Sequence, residues 1–184
     1  MKFPSTTILE SERLRLRPQR IGDLADTWSL WSSPEVVRHI SGKPSNREEA
    51  WARLLRNAGH WALMGFGPWA VERRDTGEYI GEVGFFNLER DLDPGFDGLP
   101  EMGWVLSPGA HGHGFATEAV RAALAWADAN FDQPGTACII APQNAASIRV
   151  AQKGGFRQKA TGTYREAPTL IFERVRGGVS APLL

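Results

Sequence analysis

One cysteine, Cys138, stands alone in 184 residues. No intrachain disulfide framework and no four-cysteine zinc site can be built from it. A reducing, cytoplasmic setting is the simplest expectation. No charge of one sign is in excess: 21 Lys and Arg balance 21 Asp and Glu, for a net charge of zero at pH 7. That balance gives no reason to expect nucleic acid or an anionic membrane as partner. No apolar run nears the roughly 20 residues of a membrane span. The stretch from Met1 to Glu12 is polar and lacks the apolar segment of a signal peptide. Internal repeats, low-complexity tracts and long charge runs are also missing. Residues 1–176 are therefore expected to form one domain, with 177–184 a frayed tail.

What is present is an ordinary globular composition. Apolar residues make up 42% and charged residues 23%, close to the usual proportions. A chain of this length buries roughly 70% of its unfolded surface and needs no staples. The seven tryptophans, Trp28, Trp31, Trp51, Trp61, Trp69, Trp104 and Trp126, are scattered along the chain. Core packing is the first expectation for each, with one or two lining a cleft.

Periodicity predicts the elements. Arg13 to Arg17 alternates as a half-buried strand, stopped by Pro18. Asp23–Trp31 and Pro34–His39 read as short helices, opened at Gly22-Asp23 and Ser33-Pro34. Ser45–Leu63 reads as a longer helix with a Ser45/Glu48 capping box and a Trp51, Leu54, Leu55, Ala58 stripe. Trp69–Arg73 and Tyr79–Leu88 flank the turn Asp75-Thr76-Gly77 and should pair as a hairpin. Glu89–Pro100 is a loop rich in Asp, Gly and Pro, and Glu101–Leu106 is a strand. Ala116–Asn130 carries apolar residues at Ala116, Ala119, Val120, Ala123, Leu124 and Ala127, the spacing of one helix face. Asn130 suits a left-handed stop. Thr136–Ala141 is a buried strand, Asn144 caps a helix over Ala145–Lys153, and Gly154-Gly155 ends it. Phe156–Thr163 and Thr169–Arg176 finish as strands. A mixed sheet with helices on its faces follows, of the α/β (α+β) class.

The strongest chemical signal runs from Ser107 to Thr117, Ser-Pro-Gly-Ala-His-Gly-His-Gly-Phe-Ala-Thr, between a strand and the longest apolar helix stripe. A helix N-terminus offers free backbone N–H groups and partial positive charge, and glycines let a ligand approach the backbone. Phosphate is the natural guest. A dinucleotide fingerprint fails at its third glycine, where Thr117 stands, and a P-loop ending in Gly-Lys-Ser/Thr is absent. A nucleotide-binding protein is thus the weaker reading. His111 and His113 lack neighbouring carboxylates or thiols at ligand spacing, so no metal is expected. Cys138 reads as strand filler.

Four segments, in order, resemble the GNAT family of acyl-CoA N-acyltransferases: 101–106, 111–119, 144–150 and 153–156. The subgroup most similar is the one typified by ribosomal-protein N-terminal acetyltransferases. Glu12–Pro18, Trp69–Val71 and Thr76–Gly81 fit that subgroup too, and the likeness covers about residues 9–176. It implies a mostly antiparallel sheet of six to seven strands flanked by helices. It also implies acetyl-CoA as acyl donor, no metal, and transfer to a primary amine on a protein N-terminus or a small molecule, by a monomer or homodimer.

The family phosphate loop maps onto His111, Gly112, His113, Gly114, Phe115 and Ala116, with Thr117 following. His111 replaces the usual Arg or Gln. Backbone groups of Val105 and Leu106 are expected to face the thioester and pantetheine, and Asn144 to contact the pantetheine arm. An ammonium cannot attack a thioester, so a proton must leave, and the departing thiolate gains from a donor. The resemblance assigns Glu101 to the amine, as base or orienter, and Ser147 to the thiolate, as general acid; should Glu101 play no part, Glu82 on the neighbouring strand is the next carboxylate to test. The tyrosine many members carry four positions later is Ala151 here. The alternative is a non-catalytic CoA-binding or interaction module on the same fold. Zero net charge and the acidic loop Glu89–Asp97 mildly favour a cationic acceptor.

Overall fold

A computed structural model describes residues 7–177. Its strands are β1 (Leu9–Glu10), β2 (Leu14–Pro18), β3 (Pro68–Arg73), β4 (Tyr79–Phe86), β5 (Glu101–Leu106), β6 (Gly135–Ile140), β7 (Arg157–Tyr164) and β8 (Ala167–Val175). Its helices are α1 (Leu24–Ser32), α2 (Pro34–Val37), α3 (Arg47–Met64), α4 (Phe115–Asn130) and α5 (Ala145–Lys153). The strands form one sheet in the order β1-β2-β3-β4-β5-β6-β8-β7. Every neighbouring pair is antiparallel except β5 and β6. The eighth strand, β1, is two residues long and lies outside the expected set because so short an edge carries no alternation. Beyond Gly177 the expected tail lies outside the described residues.

The faces of the sheet differ. On one, α4 lays Ala119, Val120, Ala123, Leu124 and Ala127, all buried, against Leu14, Leu16, Val71, Val83 and Phe85. Small side chains on α4 let it approach the sheet closely. Three tryptophans separate in sequence meet here: Trp69 lies edge-on to Trp61 at 4.9 Å and to Trp126 at 5.1 Å between ring centroids. On the other face, α1 and α2 bury Leu30, Trp31, Val36 and Val37 against Tyr79 and Val105.

Local signals moved in four places. The capping box of α3 is Asn46 with Glu49, one residue later than expected: Asn46 Oδ1 accepts from Glu49 N–H and Glu49 Oε2 from Asn46 N–H, each at 2.8 Å. Ser45 instead donates its N–H to Trp31 C=O, which ties the helix start to α1. Asp23 stands at the N-cap of α1 but makes no side-chain cap; its carboxylate receives Arg17 from β2 at 2.7 and 2.8 Å. Ser33 makes no side-chain cap either. Asn130 stays inside α4, whose chain leaves through an extended Phe131.

Candidate active site

The parallel pair in the sheet is nearly broken. β5 and β6 register at one position, Glu101 with Ala137, held by Ala137 N–H donating to Pro100 C=O at 3.0 Å. Beyond it the six-residue strands separate, and their C-terminal halves wall a gap. The β4–β5 register runs unbroken from Phe86/Glu101 to Gly81/Leu106, and Ser107 N–H donates to Ile80 C=O. Strand alternation then turns the Val105 backbone groups to β4 as well. The expectation for the Val105 amide is corrected: Trp104 and Leu106 present their backbone groups to the gap.

The loop beyond β5 closes on the α4 N-terminus. Gly112 and Gly114 both sit at φ +79°, a left-handed conformation that most residues reach only with strain. Gly114 is the N-cap of α4 and has no side chain to cap it, so the amides of the first turn stay available. A Cβ on Gly112 would project into open space, and one on Gly114 would meet Arg13 alone, at 3.5 Å. Phe115 is buried, Ala116 and Thr117 are half-buried, and His111 and His113 are exposed. His111 turns from the cradle: its Nε2 donates to Leu106 C=O at 3.0 Å, and Nδ1 lies 3.9 Å from Glu35. It pins the loop to the strand end.

Cations surround the α4 start. A depression of about 460 Å³ is lined by Gly114 and Thr117 with Arg13, Arg121 and Lys153. Arg13 is committed: its Nε and Nη2 meet Glu118 Oε2, its backbone N–H donates to Oε1, and its Nη1 donates to His113 C=O. Glu118 also takes Ser11 Oγ–H; its partial burial is outweighed by these donors, so its carboxyl sits below the ordinary value.

On the far wall of the gap, Asn144 caps α5: its Oδ1 accepts from Ser147 N–H at 3.1 Å. The half-buried Ser147 therefore has its amide satisfied by the cap, while its hydroxyl stands apart from that bond. Glu101 is 6% exposed and gripped at both oxygens by Arg90, at 2.6 and 2.9 Å. Arg90 comes from the loop before β5 and also stacks on the Tyr164 ring.

The family model for the acetyltransferase (GNAT) domain matches residues 13–157. The chain belongs to the GNAT acetyltransferase family. Among its relatives is the Bacillus subtilis protein YkkB, 29% identical over 170 residues, spanning 91% of this chain and 95% of that one. The structure of a GNAT-family acetyltransferase from Bordetella pertussis is 29% identical, covers 92% of this chain and 99% of its own, and superposes with a TM-score of 0.81. The ribosomal L7/L12 N-terminal acetyltransferase RimL, solved with coenzyme A, superposes with a TM-score of 0.76 over 95% of this chain and 99% of its own. At 15% identity it shares the fold. The protein is an acyltransferase.

This acetyltransferase holds site-like residues that sequence reasoning missed. Arg90, the partner of Glu101, lay in a loop without periodicity. Gln19 and Tyr79 donate to Glu82, and Asn57 of α3 donates to Gln19 behind it. The available signal was Glu82 itself, a charge inside the otherwise apolar strand Tyr79–Phe86. Cys138 is buried, and burial pushes its thiol well above the usual range; a neutral buried thiol is a poor nucleophile. Among the described residues no cluster of His, Cys, Asp and Glu could hold a metal ion, and no helix is long and apolar enough to cross a membrane.

Proposed function

We propose that the protein transfers the acetyl group of acetyl-CoA to a primary amine, on a protein or peptide N-terminus or a small molecule, by direct attack in a ternary complex. The observation that carries this reading is the gap after the single β5–β6 bridge, opening beside an α4 N-terminus capped by glycine alone. The amides from Gly112 to Thr117 suit a pyrophosphate, and the open cradle above both glycines leaves room for it. Arg121 and Lys153, at the rim, add the positive charge that a third phosphate needs. The Leu106 amide and the Asn144 side chain suit the pantetheine arm. RimL, which shares the fold, was solved with coenzyme A.

The residues divide the chemistry. Trp104, deeper along β5 than Leu106, offers its backbone N–H where charge grows on the carbonyl oxygen. Ser147, one turn into α5, gives its proton to the departing sulfur. With both oxygens held by Arg90, Glu101 fixes the loop before β5 and positions the acceptor side. Its place in the one registered β5–β6 pair makes it the hinge of the gap.

Thermal melting tests the donor half. Acetyl-CoA at one hundred times its Kd should add about 2.7 kcal/mol, which raises Tm by roughly 5–10 °C for a chain of this size. An unchanged Tm at millimolar acetyl-CoA overturns the donor assignment.

A further inference from the structure

Among the described residues, six buried side-chain polar atoms have no hydrogen-bond partner, and four of them, Thr27 Oγ1, Trp31 Nε1, Arg53 Nε and Asn57 Oδ1, belong to side chains that face one carboxylate or one of its two donors. The carboxylate is Glu82, in the middle of β4 and 4% exposed. Its Oε1 accepts from Gln19 Nε2 at 2.8 Å and from Tyr79 O–H at 3.0 Å, two neutral donors, while Oε2 receives neither. Asn57 donates through Nδ2 to Gln19. Trp31 Nε1 faces Glu82, and Thr27 faces the Tyr79 hydroxyl, without closing hydrogen bonds. The Arg53 guanidinium carbon lies over the Trp31 ring, 3.4 Å from its centroid.

Leaving buried polar groups unpaired costs stability, and a buried carboxylate with neutral partners adds to that cost. Folding alone does not require this: beside it, Leu30, Val36 and Val37 cover the same sheet face with apolar surface. Perturbed, under-satisfied polar groups gathered in one place point to function. The chemistry of the set names its guest. Asn57 Oδ1 and Thr27 Oγ1 lack donors, and Trp31 Nε1 and Arg53 Nε lack acceptors; Glu82 Oε2 takes neither the Gln19 nor the Tyr79 donor, so beside this carboxylate the free acceptors suit an ammonium, which carries three donors.

The position is right for the reaction. Glu82 pairs with Val105, so its side chain projects on the same sheet face, one strand in from the gap. Glu101 lies further along that face but is already held at both oxygens.

We propose that Glu82, rather than Glu101, accepts the proton of the acceptor ammonium, with Asn57 and Thr27 framing the amine. The proposal rests on the reading of the protein as an amine acetyltransferase. The first proton passes from nitrogen to the Glu82 carboxylate, directly or through one water, and on to solvent. The nitrogen–carbon bond then forms and the carbon–sulfur bond breaks. The second proton, lost from nitrogen as the amide forms, balances the one that sulfur gains. Burial holds Glu82 above its ordinary value, opposed by the Arg53 charge and by the Tyr79 and Gln19 hydrogen bonds; a stronger base results. The charged and titratable groups facing it are Arg53 and Arg56 of α3, Tyr79 on its own strand and, along β5, the Glu101–Arg90 pair; α1 contributes only the uncharged Thr27 and Trp31.

Glu82→Gln, Glu101→Gln and Tyr79→Phe should be assayed across pH with an α-amino and a lysine-type acceptor, beside the acetyl-CoA melting shift. Glu82→Gln is expected to keep the shift and lose about 10²–10⁴ in rate. Its deficit should shrink as pH rises and be larger for the lysine-type amine, whose pKa is about 10.4 against 7.7–8.0. The Glu101→Gln deficit should be the same at every pH. Tyr79→Phe removes a donor that favours the carboxylate, so the acid limb of kcat/KM should move to higher pH, and this decides the matter if Glu82→Gln does not fold. A folded Glu82→Gln within about threefold of wild type, or a pH-dependent deficit belonging to Glu101→Gln instead, overturns the proposal, as does an unmoved acid limb in Tyr79→Phe. Wild-type protein that acetylates no amine overturns the underlying reading instead.

Discussion

The α4 face of the sheet and the α1–α3 face bury comparable structures with opposite contents. Under α4 the buried set is apolar and aromatic, with Trp69, Phe85, Leu14 and Leu16 wholly enclosed. Under α1 and α3 the buried set includes Glu82, Asn57 and Thr27, with four unsatisfied polar atoms around them. Arg53, half-buried there, is pushed down to about 10 by burial. One face is arranged for stability. The other holds the groups that the proposed chemistry uses, one strand in from the gap between β5 and β6.

That contrast can be broken by exchanging readouts. On the α4 face, Trp69→Ala should cost 3–5 kcal/mol, or roughly 6–20 °C in Tm, while any folded fraction keeps its kcat. Calorimetry with active-site titration checks it; a stable but inactive variant would put the apolar face into the chemistry. At the gap, Ser147→Ala should lower kcat by about 10²–10⁴-fold with little change in acetyl-CoA affinity, because the hydroxyl acts on charge that grows in the transition state. The Asn144 cap uses the Ser147 amide, which alanine retains. An unchanged kcat would leave the thiolate to water. At the loop, Gly114→Val should remove the acetyl-CoA melting shift from a folded protein, since a β-branched residue is strained at φ +79° and fills the cradle. A preserved shift would move the phosphate site elsewhere.

The smallest effect belongs to a strut between α4 and β8. Arg174 donates to both Asp128 oxygens at 2.7 Å and holds that carboxyl below its ordinary value, against some desolvation. A depressed carboxyl stabilises the fold above its unfolded pKa and ceases to do so as pH falls through the folded one. Asp128→Asn should therefore melt a few degrees lower at neutral pH, with the gap to wild type closing below about pH 4. A gap independent of pH would assign the loss to packing.

The sequence made the α4 face legible and left the other largely hidden. Ala116 to Ala127 showed the helix period because one apolar stripe meets one sheet face. Asn144 capped α5 as expected because a cap is a contact over three residues. The Gly112–Gly114 turn was visible for the same local reason. The Glu101–Arg90 pair spans eleven residues across an aperiodic loop, and Glu82 meets Gln19 across sixty-three. Contacts of that kind follow from sheet register, which no local pattern carries. The α3 cap slipped by one residue because Ser45 and Asn46 are both good caps and the backbone tie to Trp31 chose between them. The Val105 amide was misassigned for a similar reason: alternation is plain in the sequence, but its phase is set by the partner strand.

The most direct test of acetyl transfer to an amine is the rate of CoA release from acetyl-CoA across α-amino peptides, lysine-type amines, polyamines and aminoglycosides. The predicted result is release that depends on a primary amine and matches the acetylated product mole for mole. Tight acetyl-CoA binding with no amine-dependent release in any class would contradict it, and would make the protein a CoA-binding module on an acetyltransferase fold.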